Sequence, residues 1–219
     1  VFASDFHFRK NQQKRLEKTV NLINQQNPDI VLSVGDFVNG QRDENTMSVE
    51  KIASGLSRAK GRYGFYTTLG NHDTVYNEQK VQKALENNGI KVLDNENVKI
   101  IIDGKSLYIA GVEDFATRYP DINKALNDTK APVIFLTHSP DLFVDIPAGV
   151  NLILSGHLHG GQIRIPFFGA VWTPSGYGDK YSKGKIIEEN GKKMIVTRGI
   201  GTSFIHMRIF CPPEIVVIE

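Results

Sequence analysis

Apolar and polar positions follow two rhythms along this chain of 219 residues. Residues 11–26 carry Leu16, Val20 and Ile23 at helical spacing, which predicts an amphipathic helix ended by Pro28-Asp29. IVLSV at 30–34 reads as a buried strand, followed by a helix over 48–60, a strand over 63–69 and a helix over 77–89 closed by Asn88-Gly89. Val1–Ala3 reads as the end of a still earlier strand. Beyond residue 90 the rhythm changes. Residues 98–114 predict a hairpin turning at Asp103-Gly104, 132–138 and 150–157 predict buried strands, and 183–199 predict a second hairpin turning at Asn190-Gly191. PPEIVVIE supplies a last strand. Helical crossovers first and hairpins later imply an α/β fold with two partly mixed sheets and helices outside. No repeat or linker interrupts it, so residues 1–219 are expected to form a single domain.

Composition narrows the function. A net charge of +2 with scattered Lys and Arg gives no footprint for nucleic acid. One cysteine, Cys211, excludes an internal disulfide and a thiolate metal cluster, and is read as a small buried hydrophobe. No window approaches the roughly 18 apolar residues of a membrane span. The opening VFAS reads as the tail of a strand, which leaves a preceding anchor or signal open.

The candidate chemistry lies where the apolar runs stop. They end in Asp5-Phe6-His7, Gly35-Asp36, Gly70-Asn71-His72-Asp73, Thr137-His138 and Gly156-His157-Leu158-His159, which together hold five of the six histidines. Ligands collect beyond the carboxyl ends of strands in α/β sheets. Each motif alone has an ordinary explanation as a turn, a cap or a core histidine. Their joint appearance at five strand ends does not. Oxygen and imidazole donors without thiolate suit a metal site, and extended alternation would aim Asp5 with His7, and His157 with His159, at one point. Adding Asp36, Asn71 and His138 makes seven donors, more than one tetrahedral ion needs and suited to two ions with a shared carboxylate.

These ordered motifs, with GHLHGGQIRIP, RGIGTS and CPPE, resemble the calcineurin-like metallophosphoesterase superfamily, and within it the bacterial YkuE/YaeI-like phosphodiesterase branch, over nearly the whole chain. The resemblance implies a β-sandwich flanked by helices, a four-layer αββα arrangement. It implies two divalent metal ions (manganese, iron or zinc, manganese first). Asp5, His7 and His159 would hold one, and Asn71, His138 and His157 the other, with Asp36 bridging. It further implies catalytic His72 facing the substrate, oriented by Asp73, and in-line attack on a phosphodiester by a metal-bridging hydroxide. GDFVNG and GNHD replace the Asp-Arg-Gly and GNH-Glu motifs of the superfamily's protein phosphatases, which speaks against that activity. Two alternatives accompany the phosphodiesterase. One is a lipid-specific enzyme, such as a pyrophosphatase acting on UDP-2,3-diacylglucosamine or a phosphodiesterase acting on phospholipid. The other is an inactive scaffold on the same fold.

Residues 163–181 concentrate Phe167, Phe168, Trp172, Tyr177 and Tyr181 among Gly and Pro. They form either a loop packed over the sheet or an apolar rim for a lipid or membrane surface. Arg164, Phe167 and Trp172 are candidate substrate-binding residues. Arg164 and Arg198 are equally suited to surface ion pairs. Phe204, Ile205 and Phe210 would lie nearby in the family fold, and His206 falls outside the metal motifs. The expected partner is a phosphodiester or lipid-linked phosphate, with no protein partner implied.

Overall fold

Successive residues of the central strands face opposite sides of their sheet, and that alternation sorts the apolar residues into three cores. The computed structural model describes residues 1–40, 45–182 and 186–219. Strands β1 (Val31–Ser33), β2 (Phe65–Thr67) and β3 (Ile90–Val92) pair in parallel in that order. Helices α1 (Gln13–Asn24), α2 (Val49–Leu56) and α3 (Asn71–Glu86) precede them one by one. A second sheet has the order β10-β11-β7-β6-β5-β4, from β4 (Glu96–Ile102), β5 (Lys105–Gly111), β6 (Val133–Leu136), β7 (Leu152–Ser155), β10 (Ile186–Glu189) and β11 (Lys192–Val196). Its centre is parallel and its two edge pairs are antiparallel. A two-stranded ribbon, β8 (Arg164–Ile165) with β9 (Gly169–Ala170), stands apart, and the short helix α4 spans Ile122–Ala125.

Leu32 faces the space between the sheets, where it meets Phe2, Val34, Ile109, Leu136 and Leu154. Its neighbour Val31 faces the other way, into a core with Leu16, Ile23, Ile52 and Leu85 of α1, α2 and α3. On the far side of the second sheet Phe135, Ile153 and Met194 pack against Ala125 of α4, Phe143 and Tyr181. The result is the expected α/β sandwich flanked by helices. Both faces of the central strands are apolar because both are covered.

The departures from expectation are local. Helix α3 begins at Asn71, six residues before the predicted start at Asn77. Gly70, extended at φ −97° and ψ 176°, caps it, while the backbone at Asn77 breaks helical geometry and its Oδ1 accepts the Lys80 N–H at 3.0 Å. Asn77 therefore caps the second half, and the apolar periodicity reports only that half. The first and last predicted strands reduce to single bridges, Phe2 with Leu32 and with Val216. Strands β3, β8 and β9 and helix α4 are too short for a periodic signal. Asp103-Gly104 and Asn190-Gly191 turn the two hairpins with consecutive left-handed residues. Residues 183–185 of the second predicted hairpin lie outside the described residues.

Candidate metal centre

Five chain segments meet at the carboxyl ends of the strands. The side of the first sheet supplies Asp5 and His7, Asp36 after β1, and Asn71 and His72 at the start of α3. The second sheet supplies His138 after β6, and His157 and His159 after β7. Extended alternation is not what aims them. Asp5, His7, Asp36, His157 and His159 all have left-handed backbones, with φ of 53°, 43°, 56°, 68° and 51°. That conformation costs a non-glycine residue roughly 1–2 kcal/mol. Hydrogen bonds between the segments hold it. Asp5 N–H donates to Gly35 O at 3.1 Å, His7 N–H to Asp36 O at 3.0 Å and His157 N–H to Asp5 Oδ1 at 2.9 Å. The Arg15 guanidinium donates to the carbonyl of His7 at 2.8 Å. Glycines permit the close approach: a Cβ at Gly70 would sit 2.2 Å from Asp36 Oδ1, and one at Gly156 2.3 Å from Asp5 Oδ2.

The side chains converge on Asp36. Its Oδ2 lies 3.3 Å from both His7 Nε2 and His138 Nε2. His7 Nε2 is 3.0 Å from His159 Nε2, which is 3.7 Å from Asp5 Oδ1. His138 Nε2 is 3.1 Å from Asn71 Oδ1 and 3.2 Å from His157 Nδ1. The donor atoms form two clusters, Asp5/His7/Asp36/His159 and Asp36/His138/His157, each within 4.8 Å and both including Asp36. His138 donates its Nδ1 proton to Val34 O at 2.7 Å, so in the neutral ring Nε2 is the nitrogen left to face the other acceptors of the cluster. Lone pairs that point at one another in a buried space call for a cation. Asp5 Oδ2 and His7 Nδ1 are buried with no protein partner. The residues present therefore fit divalent metal.

Electrostatics carry the same signature. Burial opposes the charge on Asp36, but His138 and His72 outweigh it and hold this carboxyl well below its usual range. Burial pushes Asp5 up to about 7, and neighbouring Asp36 adds to the shift. Burial also opposes charge on His138, yet Asp36 and Asp5 raise it to about 10. His157 falls to about 4 through burial and the His138 charge, and burial lowers His7 and His159. One proton on His138 thus stands in for the positive charge this cluster needs.

Asp73 does not orient His72, contrary to expectation. Its carboxylate accepts four backbone N–H groups, from Asp36 at 2.7 Å, Phe37 at 2.9 Å, Gly70 at 3.1 Å and Val38 at 3.2 Å. It braces the turn that presents Asp36 and caps α3. His72 Nδ1 is buried without a protein partner, and its Nε2 lies 3.2 Å from Ser203 Oγ. Asp73→Asn would turn an amide NH2 toward two of these donors. The expected loss is about 2–4 kcal/mol of stability, read from denaturant unfolding; an unchanged midpoint would contradict the bracing role.

A cavity of about 770 Å³ opens beside Asp36, Asn71, His72, His157 and His159. Its other walls are mostly apolar, with Leu158, Ile163, Val171, Trp172, Phe204 and Ile205 among them. Of the three expected substrate contacts only Trp172 lines it. Arg164 is turned into its own loop, 3.2 Å from Asp179 and 2.9 Å from Gly160 O, and Phe167 is fully exposed away from the cavity. Arg198 pairs with Glu214, Cys211 is buried and unpaired, and His206 is exposed.

Two residues escaped the sequence reading. Ser203 is held by Gln162, whose Oε1 accepts its N–H at 2.8 Å and whose Nε2 donates to its carbonyl at 2.7 Å. Arg208 donates to the carbonyls of Gly201 at 2.6 Å and Arg198 at 2.7 Å, and its Nη2 lies 3.4 Å from His159 Nδ1. Ser203 closes the RGIGTS motif, yet neither that motif nor the lone Arg208 gives a reason to place the side chain beside His72 or His159.

Residues 1–161 match the sequence profile described as calcineurin-like phosphoesterase. The metallophosphoesterase YkuE of Bacillus subtilis is 34% identical over 208 residues, which cover 91% of this chain and 71% of that protein. The phosphodiesterase YaeI of Escherichia coli is 27% identical over 229 residues, which cover 100% of this chain and 80% of YaeI. Among solved structures, the NAD nucleotidase of Haemophilus influenzae superposes with a TM-score of 0.56 at 15% identity, over 90% of this chain. The match spans 44% of the nucleotidase, so the likeness is one of fold.

Proposed function

The chain belongs to the calcineurin-like phosphoesterase family of metal-dependent phosphoester hydrolases, and from that premise we propose that it is a phosphodiesterase using two divalent cations. The observation that carries this is the sharing of Asp36 by two donor clusters. Asp5, His7 and His159 would hold one ion and Asn71, His138 and His157 the other, with Asp36 common to both. Two such ions, when bound, supply positive charge for phosphoryl oxygens and a means of ionising water near neutral pH. Oxygen and imidazole donors without thiolate accept manganese, iron or zinc, and the family resemblance puts manganese first among the three.

The chain's own residues supply the rest. His72 borders the cavity beside Asp36 and Asn71. Its Nε2 can hold the proton that a departing alkoxide takes up as the P–O bond breaks. Ser203 Oγ, anchored through Gln162, keeps that nitrogen turned to the cavity. Asp73 acts at one remove, through the backbone of Asp36. The apolar walls suit a phosphodiester with a hydrophobic substituent, and this supports a lipid-linked phosphate as a second reading. The bacterial sources of YkuE and YaeI favour a bacterial setting and the name of YaeI a phosphodiester bond, with residues 1–219 acting as one catalytic domain.

The test is direct. Chelated protein is expected to lose hydrolysis of bis-p-nitrophenyl phosphate and to regain it with manganese, iron or zinc. Failure with all three ions would leave the inactive scaffold as the better description.

A further inference from the structure

Exposed apolar side chains are concentrated in two segments beside the cavity mouth. Phe167 is fully exposed, while Phe168, Phe204 and Phe210 are between 72% and 87% exposed. The two segments are stitched together. Arg164 N–H donates to Ile209 O at 3.0 Å, and Ile209 N–H donates to Gln162 O at 2.9 Å. Phe167, Phe168 and Phe210 line one shallow depression, and Val171, Trp172, Phe204 and Ile205 line the active-site cavity next to it. The result is a continuous apolar face that leads to the candidate metal centre.

The backbone holds this face outward under strain. Phe167, Phe204 and Phe210 have φ of 71°, 55° and 50°. Bulky residues rarely adopt that conformation, and in these three no burial of the ring offsets it. Charge is lopsided as well. Residues 163–178 and 199–213 contain no Asp or Glu, and Asp179, which lines the depression, is paired with Arg164 at 3.2 Å. His206, from the second segment, lines a groove with Arg9 and Lys10 and with no acidic residue among the described ones.

We propose that this face docks on an anionic lipid bilayer, with the phenylalanine tips entering the interface and the basic groove meeting headgroups. Separate aromatic tips on loops, without acids and beside basic residues, match the interfacial zone of a membrane. A protein partner would instead need a matching pocket for each tip. No described helix is long and apolar enough to cross a bilayer, so the contact is peripheral. The proposal goes beyond hydrolysis and does not depend on it.

The test is co-sedimentation of the 219-residue chain with vesicles of phosphatidylcholine, with and without phosphatidylglycerol. The chain is expected to bind the mixed vesicles more strongly, and less so at high salt. The combined substitution Phe167→Ser, Phe168→Ser, Phe210→Ser is expected to reduce partitioning by roughly tenfold or more, with an unchanged unfolding midpoint. Phe168→Trp alone should retain binding. The proposal is overturned if the chain stays unbound with both vesicle types, or if the triple variant binds as well as the parent. It is equally overturned if the chain ignores vesicles and the triple variant abolishes a concentration-dependent dimer in sedimentation velocity, which would assign the face to a second copy.

Discussion

Asp36→Asn is expected to reduce bound metal from two ions to one or none per chain and to lower kcat/KM on an activated phosphodiester by on the order of 10³-fold. The substitution keeps the shape of the side chain. Its remaining carbonyl oxygen can still accept the His72 N–H, which Asp36 Oδ1 now does at 2.9 Å. What disappears is the negative charge equidistant from His7 and His138, the one carboxylate common to both donor clusters. The new NH2 would point a proton where a cation should sit. Fold and function therefore separate in this variant: its unfolding should remain cooperative while metal analysis shows the loss. Two ions still bound per chain would mean that Asp36 is not the bridge.

His72→Ala should do the opposite with metal. His72 belongs to neither donor cluster, so both ions are expected to stay. Turnover of an alkyl phosphodiester should fall by about 10²–10⁴-fold, the usual contribution of a positioned general acid. A p-nitrophenyl ester should suffer less, since its leaving group departs as a stable anion. The difference between the two substrates separates proton donation from general damage, because a collapsed site would slow both alike. Undiminished turnover of the alkyl ester would remove His72 from the chemistry.

The parts of this site legible in the sequence are those carried by short motifs at strand ends. Gly35-Asp36, Gly70-Asn71 and the paired His157 and His159 stand out because an apolar run delivers each to the same rim, and the structure gathers them there. The means was misread. Five of these residues turn through the left-handed region rather than alternating along an extended segment, and only the hydrogen bonds between segments fix that. The resemblance implies that Asp73 orients its chain neighbour His72, and the structure gives its carboxylate other partners. Three of its four partners lie 35 to 37 residues away. Ser203 and Arg208 act through hydrogen bonds to backbone, to Gln162 and to imidazole, which leave no periodic or compositional trace. In the sandwich, long helices, hairpins and the apolar runs of β1 and β2 were legible, whereas β3, β8 and β9 were not, since a strand such as β3 shows only one full alternation.

The left-handed backbone at Asp5, His7, Asp36, His157 and His159 also bears on how this chain can change over evolutionary or engineering time. At each position glycine would relieve local strain by roughly 1 kcal/mol and would erase a side chain of the centre. A search that rewards only robustness would accept such a replacement wherever the relieved strain exceeds the side-chain hydrogen bonds lost with it, such as those that Asp5 and Asp36 accept from His157 and His72. The resulting lineage would be a tougher shell with an emptied rim. Five functional side chains held in strained geometry at one rim mark a site shaped by what it does rather than by stability alone.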